Sequence, residues 1–249
     1  MTWWPRLLPG IAAGATHGVI RVGHVVRNLL DSDADDPVAV TELAHALAYW
    51  AARARTVPGV LAPAGALGPS EALDAVPHLA EQHGPIAGRL DRLADLDGWP
   101  GSVAALRPAA DPEDVRVRLT ELVSAATLRY LAYGHGSPVL LVHTATAPNA
   151  VLHILPALPT SLWAPSLSAA WAASAAITST YAPAEPMPRD EQAPAPAGPD
   201  AVHDLVERAV AHGDEHVIKF ADTAAEVYQR TADPDALAAA VHASILLSR

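Results

Sequence analysis

Two histidines and a lysine near the C-terminus are spaced so that they can face one point. The stretch HGDEHVIK, residues 212–219, contains His212, His216 and Lys219. Burying an unpaired ammonium is costly, so Lys219 needs a partner or a function within this apolar run. His216 and Lys219 are three residues apart, which puts them on one face of a helix that Asp214 is expected to cap.

A second pair of histidines lies near the N-terminus, in the stretch THGVIRVGH at residues 16–24. His17 and His24 are seven residues apart and therefore share a helix face, with Arg21 between them. Histidine is the commonest protein ligand for metals, so this pair indicates a metal site. The alternative is a polar strip at a helix–helix contact.

Many of the twelve histidines lie in apolar helical stretches, and one shared partner would explain them better than separate backbone contacts. Those histidines are His17, His24, His45, His143, His153, His216 and His242.

Lys219 has two interpretations. It can reach solvent or pair with Asp222 or Glu226. Alternatively, burial lowers its pKa and it acts as a base, a nucleophile or a modified ligand. A neutral lysine amine can take up carbon dioxide to form a carbamate, which would supply the anionic oxygen that a histidine-only site lacks.

Composition favours a single all-α domain spanning residues 1–249. Alanine supplies much of the hydrophobic 51%, and no useful strand alternation or internal repeat occurs. The net charge of -11 argues against nucleic acid as a partner, and the absence of cysteine excludes disulfides and thiolate metal sites. We expect a soluble, cytoplasmic protein without a membrane span. The sequence does not indicate an oligomeric state.

Helix starts are marked by Asp-Pro and Ser-Pro pairs. Short helices and loops are expected over 61–110, and a solvated, partly extended Pro-rich loop over 181–200. We expect Pro148 to break or kink the helix that begins at Pro138. The predicted helices are 36–55, 111–133, 138–148, 165–180, 200–212, 214–230 and 233–248.

Several other kinds of site find little support. No G-x-G-x-x-G, P-loop, G-x-S-x-G or H-E-x-x-H motif is present, so a Rossmann nicotinamide or flavin domain is not expected. A di-iron bundle requires two Glu-x-x-His pairs. Glu42 with His45 is one such pair, and Asp200 with His203 is only an Asp variant.

Four blocks in order along the chain resemble the questin oxidase-like family. They read HGVIR from residue 17, AYWAA from 48, LVHTATAP from 141 and DEHVIK from 214. Fungal members of that family open a ring of anthraquinones in polyketide pathways. They are described as NADPH-dependent Baeyer–Villiger-type oxygenases, and an alternative description is a non-haem iron site with histidine ligands and a carboxylated lysine.

The resemblance implies a ligand set. It makes His17, His143, His216 and Lys219 the best candidates, followed by His212 and then His24. His45 and Tyr49 are expected to face the substrate. The chain departs from the family in its shorter length and in carrying Arg21 where the fungal members have a second histidine. Either His24 replaces that histidine or the coordination differs.

The resulting hypothesis is an Fe(II)-dependent oxygenase acting with dioxygen on a small aromatic, polyketide-like substrate. NADPH is implied by the family description, although no dinucleotide motif is present. Arg21 would hold a substrate anion. Tyr49, Trp50 and Trp171 would either form apolar walls or belong to the core, and for Trp50 and Trp171 core packing is favoured. The alternatives are a metal-independent hydrolase or cyclase with Lys219 or His216 as base, and a non-catalytic helical binding protein.

Overall fold

A computed structural model describes residues 2–32, 36–82 and 86–248 of the chain. Within these residues no β-sheet forms, and only two isolated bridges occur, so the fold is all-α as predicted. The α-helices are α1 (Trp4–Leu7), α2 (His17–Asp31), α3 (Pro37–Ala52), α4 (Pro69–Asp74), α5 (Ile86–Asp91), α6 (Trp99–Ala104), α7 (Pro112–Tyr133), α8 (Pro138–Leu141), α9 (His143–Ile154), α10 (Trp163–Tyr181), α11 (Ala201–His212), α12 (Glu215–Thr231) and α13 (Pro234–Leu247). Short 3-10 turns lie at Leu8–Gly10, Arg92–Asp95, Gly134–Gly136, Leu155–Ala157, Thr160–Leu162 and Arg189–Glu191.

The predicted Asp-Pro helix starts are confirmed. Asp36, Asp111 and Asp233 each precede a proline at the first helical position of α3, α7 and α13. Each carboxylate accepts a hydrogen bond from a backbone N–H two or three residues further on, at 2.9–3.0 Å. These contacts satisfy N–H groups that have no partner inside the helix. They explain why three of the structure's helices begin where the sequence indicates.

Of the two outcomes expected at Pro148, a break or a kink, the break does not occur. The interruption lies at Val142, between α8 and α9, and α9 continues through Pro148. Proline has no N–H for the carbonyl of Thr144 one turn earlier. The hydroxyl of Ser174, on α10, donates to that carbonyl at 2.8 Å. A neighbouring helix thus replaces the missing hydrogen bond, and α9 stays helical.

Two glycines allow α2 to approach its neighbours closely. A Cβ at Gly18 would lie 2.7 Å from the ring of Trp50 on α3, and one at Gly23 would lie 2.6 Å from Cβ of Ala150 on α9. Real Cβ atoms do not approach that closely, so only glycine permits these contacts. The contacts hold α2 against α3 and α9.

Trp50 and Trp171 are core residues, so the favoured expectation of core packing is confirmed and neither forms a wall of the pocket. Both side chains are fully buried. The indole of Trp50 donates to the carbonyl of Gly10 at 2.9 Å, and that of Trp171 donates to the carbonyl of Val103 at 2.8 Å. Their N–H groups are therefore satisfied inside the protein, as buried indoles require.

The predicted Pro-rich loop, 181–200, is largely non-helical but packs closely on the helices. The backbone N–H of Met187 donates to the carbonyl of Ala132 on α7 at 2.7 Å. Arg189 pairs with Asp235 on α13 at 2.6 Å. The expectation of a solvated loop therefore holds only in part, since it is anchored to two helices. The short helices expected between 61 and 110 are present as α4, α5 and α6.

One helical segment among the described residues, Pro138–Ala157, is long and apolar enough to cross a membrane by length and composition. Within the fold, 72% of that window is buried by the rest of the protein. The segment comprises α8, α9 and the 3-10 turn that follows them.

Replacing Ser174 with alanine should destabilise the fold by about 1–3 kcal/mol, because the buried carbonyl of Thr144 would lose its donor. Ser168→Ala, also on α10, is the matched control, since Ser168 bonds only the carbonyl of Ala164 within its own helix. Urea unfolding of both variants measures the difference. Equal midpoints for the two variants would contradict the role assigned to Ser174.

Candidate metal centre

Three histidines from three helices converge at one place. His17 and His143 are the first residues of α2 and α9, and His216 is the second residue of α12. One ring nitrogen of each lies within 4.8 Å of the others. His143 is fully buried and His216 is 8% exposed, whereas His17 is partly exposed. The cluster brings residues from near both ends of the chain, His17 and His216, next to His143 from its middle.

The spacing of the ring nitrogens fits a common ion. His17 Nε2 and His143 Nε2 are 3.3 Å apart. Two imidazole nitrogens bound at about 2.1 Å to one ion in tetrahedral or octahedral geometry lie roughly 3.0–3.4 Å apart. The Nε2 atom of His216 is buried and has no hydrogen-bond partner, which is costly for a polar atom unless it binds something.

Hydrogen bonds at the far side of the rings fix which nitrogen carries the proton. His17 Nδ1 lies 2.5 Å from the carbonyl of Gly14, and His143 Nδ1 lies 3.2 Å from the carbonyl of Leu140. A carbonyl only accepts, so each Nδ1 carries the hydrogen and each Nε2 keeps its lone pair. Metal-binding histidines in proteins are commonly oriented in this way.

His216 is oriented by a carboxylate. Its Nδ1 lies 3.2 Å from Oδ1 of Asp214, the same oxygen that accepts from the backbone N–H of His216 at 2.7 Å. Asp214 therefore caps α12, as predicted, and also holds the imidazole. A carboxylate behind a metal-binding imidazole raises its basicity as a ligand.

A left-handed turn delivers His17. Gly14, Ala15 and Thr16 all have positive φ, at 52°, 55° and 68°. Such angles cost free energy for residues other than glycine and persist where the surrounding structure imposes them. The turn brings the carbonyl of Gly14 back to the imidazole of His17.

Lys219 points its ammonium at two of these imidazoles. Its Nζ lies 2.9 Å from His143 Nε2 and 3.2 Å from His17 Nε2, and the residue is 8% exposed. Burial lowers the pKa of Lys219 to about 8. Lys219 thus neither reaches solvent nor pairs with Asp222 or Glu226.

Burial, followed by the charge of Lys219, lowers the pKa of each histidine in the cluster, most strongly for His143. The three rings are therefore neutral at neutral pH, which is the form that binds metals. In the absence of a metal, the ammonium of Lys219 supplies the positive charge between two Nε2 lone pairs.

A large open cleft of 1180 Å³ leads to the cluster. It lies between α2 and α3 on one side and α11 and α12 on the other, and His17 and Lys219 are part of its wall. Most of its surface is aliphatic. A cleft of this size can hold a ligand of several fused rings or a comparable chain.

The other predicted ligands lie elsewhere. His212 Nε2 lies 2.9 Å from the hydroxyl of Ser248, at the end of α13. His24 lines the cleft, where burial and then Arg27 lower its pKa, but it is not in the cluster of three nitrogens. Neither His212 nor His24 joins His17 at the candidate site.

The residues predicted to face substrate have mixed positions. Tyr49 lines the cleft, and the guanidinium of Arg53 lies 4.2 Å from the centre of its ring. His45 directly precedes the buried Ala46 on α3, but its own side chain is exposed and does not line the cleft.

Arg21 lines the cleft but is bound to Glu42 at both ends of its guanidinium, at 2.5 and 2.9 Å. An incoming anion would have to displace Glu42. The same pairing engages the carboxylate of the single Glu-x-x-His sequence, Glu42 with His45, so the arrangement gives no support to a di-iron site.

Sequence reasoning missed a polar network in the wall of the cleft. Glu226 accepts from His153 at 2.9 Å and from Arg27 at 2.8 Å, and Arg27 also pairs with Asp222 at 2.9 Å. The network joins α2, α9 and α12, the helices that carry the three clustered histidines. The signal in the sequence is the i,i+4 spacing of Asp222 and Glu226, which places both carboxylates on one face of the helix.

Comparison with protein-family models, with curated proteins and with solved structures found no match. The resemblance to the questin oxidase-like family therefore stays a prediction from the four sequence blocks, as does the cytoplasmic location.

Glu226→Gln should lower the free energy of unfolding by about 1–3 kcal/mol at neutral pH. Hydrogen bonds and charge from His153 and Arg27 outweigh burial and lower the pKa of Glu226 from 4.5 to about 2. A carboxylate whose pKa is lower in the folded than in the unfolded state stabilises the fold at pH values above its unfolded-state pKa. That stabilisation is lost as the pH falls through the folded-state pKa. The deficit should thus be full above about pH 5 and shrink toward pH 2.

Unfolding of wild type and Glu226→Gln across this pH range measures the effect, with Glu121→Gln on the exposed face of α7 as control. A deficit that stays constant down to pH 2 would show that the charge of Glu226 is not its source.

Proposed function

We propose that this protein binds one transition-metal ion at His17, His143 and His216 and uses it in an oxygenase reaction. The observation that carries the proposal is the convergence of three neutral imidazoles whose Nδ1 hydrogens are all engaged, at the wall of an apolar cleft. A set of imidazole ligands suits iron, zinc and copper. Iron, the oxygenase chemistry and the aromatic polyketide-like substrate rest on the resemblance to the questin oxidase-like family.

When bound, such an ion would supply Lewis-acid or redox chemistry at the inner end of the cleft. The chain contributes the orientation of the imidazoles through Gly14, Leu140 and Asp214. Burial of His143 and His216 excludes water from the inner side. The cleft orients a substrate at the exposed side, where His17 lies.

Lys219 would supply the anionic ligand of the metal ion. Its nitrogen would attack the carbon of carbon dioxide and release one proton to solvent, leaving a carbamate. The lowered pKa makes the neutral amine accessible near neutral pH. The helices α2 and α9 begin at the cluster and α12 one residue before it, and helix N-termini favour a nearby negative charge.

Metal binding tests the site directly. Titration calorimetry of chelator-treated protein with Fe(II), Co(II) and Zn(II) should give one ion per chain. His143→Ala and His216→Ala should each weaken binding by about a hundredfold or more, because a ligand is lost. His203→Ala, an exposed histidine on α11, is the matched control. Stably folded wild-type protein that binds none of these ions would refute the metal centre.

Carbamate formation is tested by NMR with carbon-13 bicarbonate. Metal-loaded wild type should give a carbamate signal that Lys219→Met lacks. The variant should fold with unchanged or greater stability, since it replaces a buried ammonium with an apolar chain of similar size. A signal that persists in Lys219→Met would assign the carbamate to another amine.

Oxygen uptake tests the reaction. Wild type loaded with Fe(II) should consume dioxygen with hydroxylated anthraquinones or related polycyclic phenols, and His143→Ala should not.

The position of Lys219 supports a second candidate function, since an amine with a lowered pKa beside a cleft can act as a base. Turnover that survives chelation and exclusion of oxygen would favour this metal-independent hydrolase or cyclase.

A further inference from the structure

One helix of the cleft presents aliphatic side chains that the protein itself leaves uncovered. On α11, Val202, Val206 and Val210 follow one another at intervals of four residues, and all three line the cleft. Val206 is 41% exposed and Val210 is 62% exposed. These three residues are called the valine ridge below.

A neighbouring stripe of α11 packs the helix onto the core. Ala201, Leu205 and Ala209 are buried and pack the helix onto the rest of the fold. An amphipathic helix needs only one such stripe. The ridge is a second apolar stripe, and Ile218 of α12, 39% exposed, extends it toward Lys219.

The two arginines of the cleft are already paired with carboxylates. Among the described residues, three cationic side chains and four carboxylates line it. Arg21 is bound at both ends by Glu42, and Arg27 is bound by Asp222 and Glu226.

The remaining cation and the remaining carboxylate face imidazoles of the cluster. Nζ of Lys219 lies 2.9 Å from His143 Nε2 and 3.2 Å from His17 Nε2. Oε1 of Glu215 lies 3.6 Å from His216 Nδ1. The cleft wall therefore offers an anion no unpaired guanidinium, and its carboxylates outnumber its cations.

From these observations we infer that the cleft binds an electrically neutral, apolar ligand that lies along the valine ridge. Its hydrophobic surface covers the ridge, and no charge on it requires an arginine partner. This inference rests on the proposed function in naming the class of molecule that the site would act on. It departs from the expectation that Arg21 holds a substrate anion.

Two fluorescent probes with the same rings separate the alternatives. N-phenyl-1-naphthylamine is neutral, and 8-anilinonaphthalene-1-sulfonate adds one sulfonate. Chelator-treated wild type should bind the neutral probe about tenfold more tightly, because the sulfonate would enter the cleft without a free cation. Metal-free protein keeps this test independent of the metal centre, so the two proposals can fail separately.

Substitutions in the valine ridge test whether the neutral probe binds there. Val206→Thr combined with Val210→Thr keeps the side-chain shape and should weaken the neutral probe by about three- to tenfold. Val117→Thr is the matched control, since Val117 is also 41% exposed but lies on α7 outside the cleft. Equal effects of the ridge and control variants would overturn the inference.

The pairing of Arg21 supplies a second test. Glu42→Gln frees the guanidinium and should tighten the anionic probe several-fold while leaving the neutral probe unchanged. Arg21→Gln should leave the wild-type affinities for both probes nearly unchanged. If the anionic probe binds wild type as tightly as the neutral one and Arg21→Gln abolishes that binding, the cleft is an anion site and the inference fails.

Discussion

Neutral nitrogen lone pairs that meet in a desolvated space require a positive charge between them. His17 and His143 place two Nε2 atoms 3.3 Å apart, and their Nδ1 hydrogens are fixed on carbonyl oxygens. Two lone pairs cannot satisfy each other at that distance. The ammonium of Lys219 meets the requirement in the protein alone, and a metal ion would meet it more strongly.

The scaffold around this point fixes three helices relative to one another. The Arg27–Glu226–His153 network joins α2, α12 and α9 on one side of the cleft. The close contact of Gly23 with Ala150 holds α2 against α9. These contacts lie away from the histidines themselves. The packing of whole helices therefore positions the residues that carry the rings, and Gly14 and Asp214 in the turns before α2 and α12 orient two of the imidazoles. Rigid supporting elements are what a precise ligand geometry requires.

Much of the fold could be predicted from local chemistry. Asp-Pro pairs indicate where helices begin, because proline suits the first turn and the aspartate before it accepts hydrogen bonds from backbone N–H groups that have no partner inside the helix. Glycine and proline between 61 and 110 indicate only short helices. The path of α9 through Pro148 could not be predicted, since it depends on a hydroxyl from Ser174, 26 positions along the chain and on another helix.

The candidate site could be predicted in part. His216 and Lys219 share a helix face by spacing alone, but the same argument equally linked His24 to His17. Only the path of α9 decides between them, because His143 enters beside His17 and leaves His24 in the cleft wall. The predicted role of Arg21 also depended on a residue distant in sequence, since its partner Glu42 lies on α3.

The bond from Ser174 to the carbonyl of Thr144 has a consequence for sequence variation. A hydroxyl at position 174 offsets the hydrogen bond that proline at position 148 cannot make, and a chain with an ordinary N–H at 148 has no need of that donor. The two positions therefore form a dependent pair. In homologous chains we expect them to co-vary, with loss of the serine tolerated mainly where the proline has already been replaced.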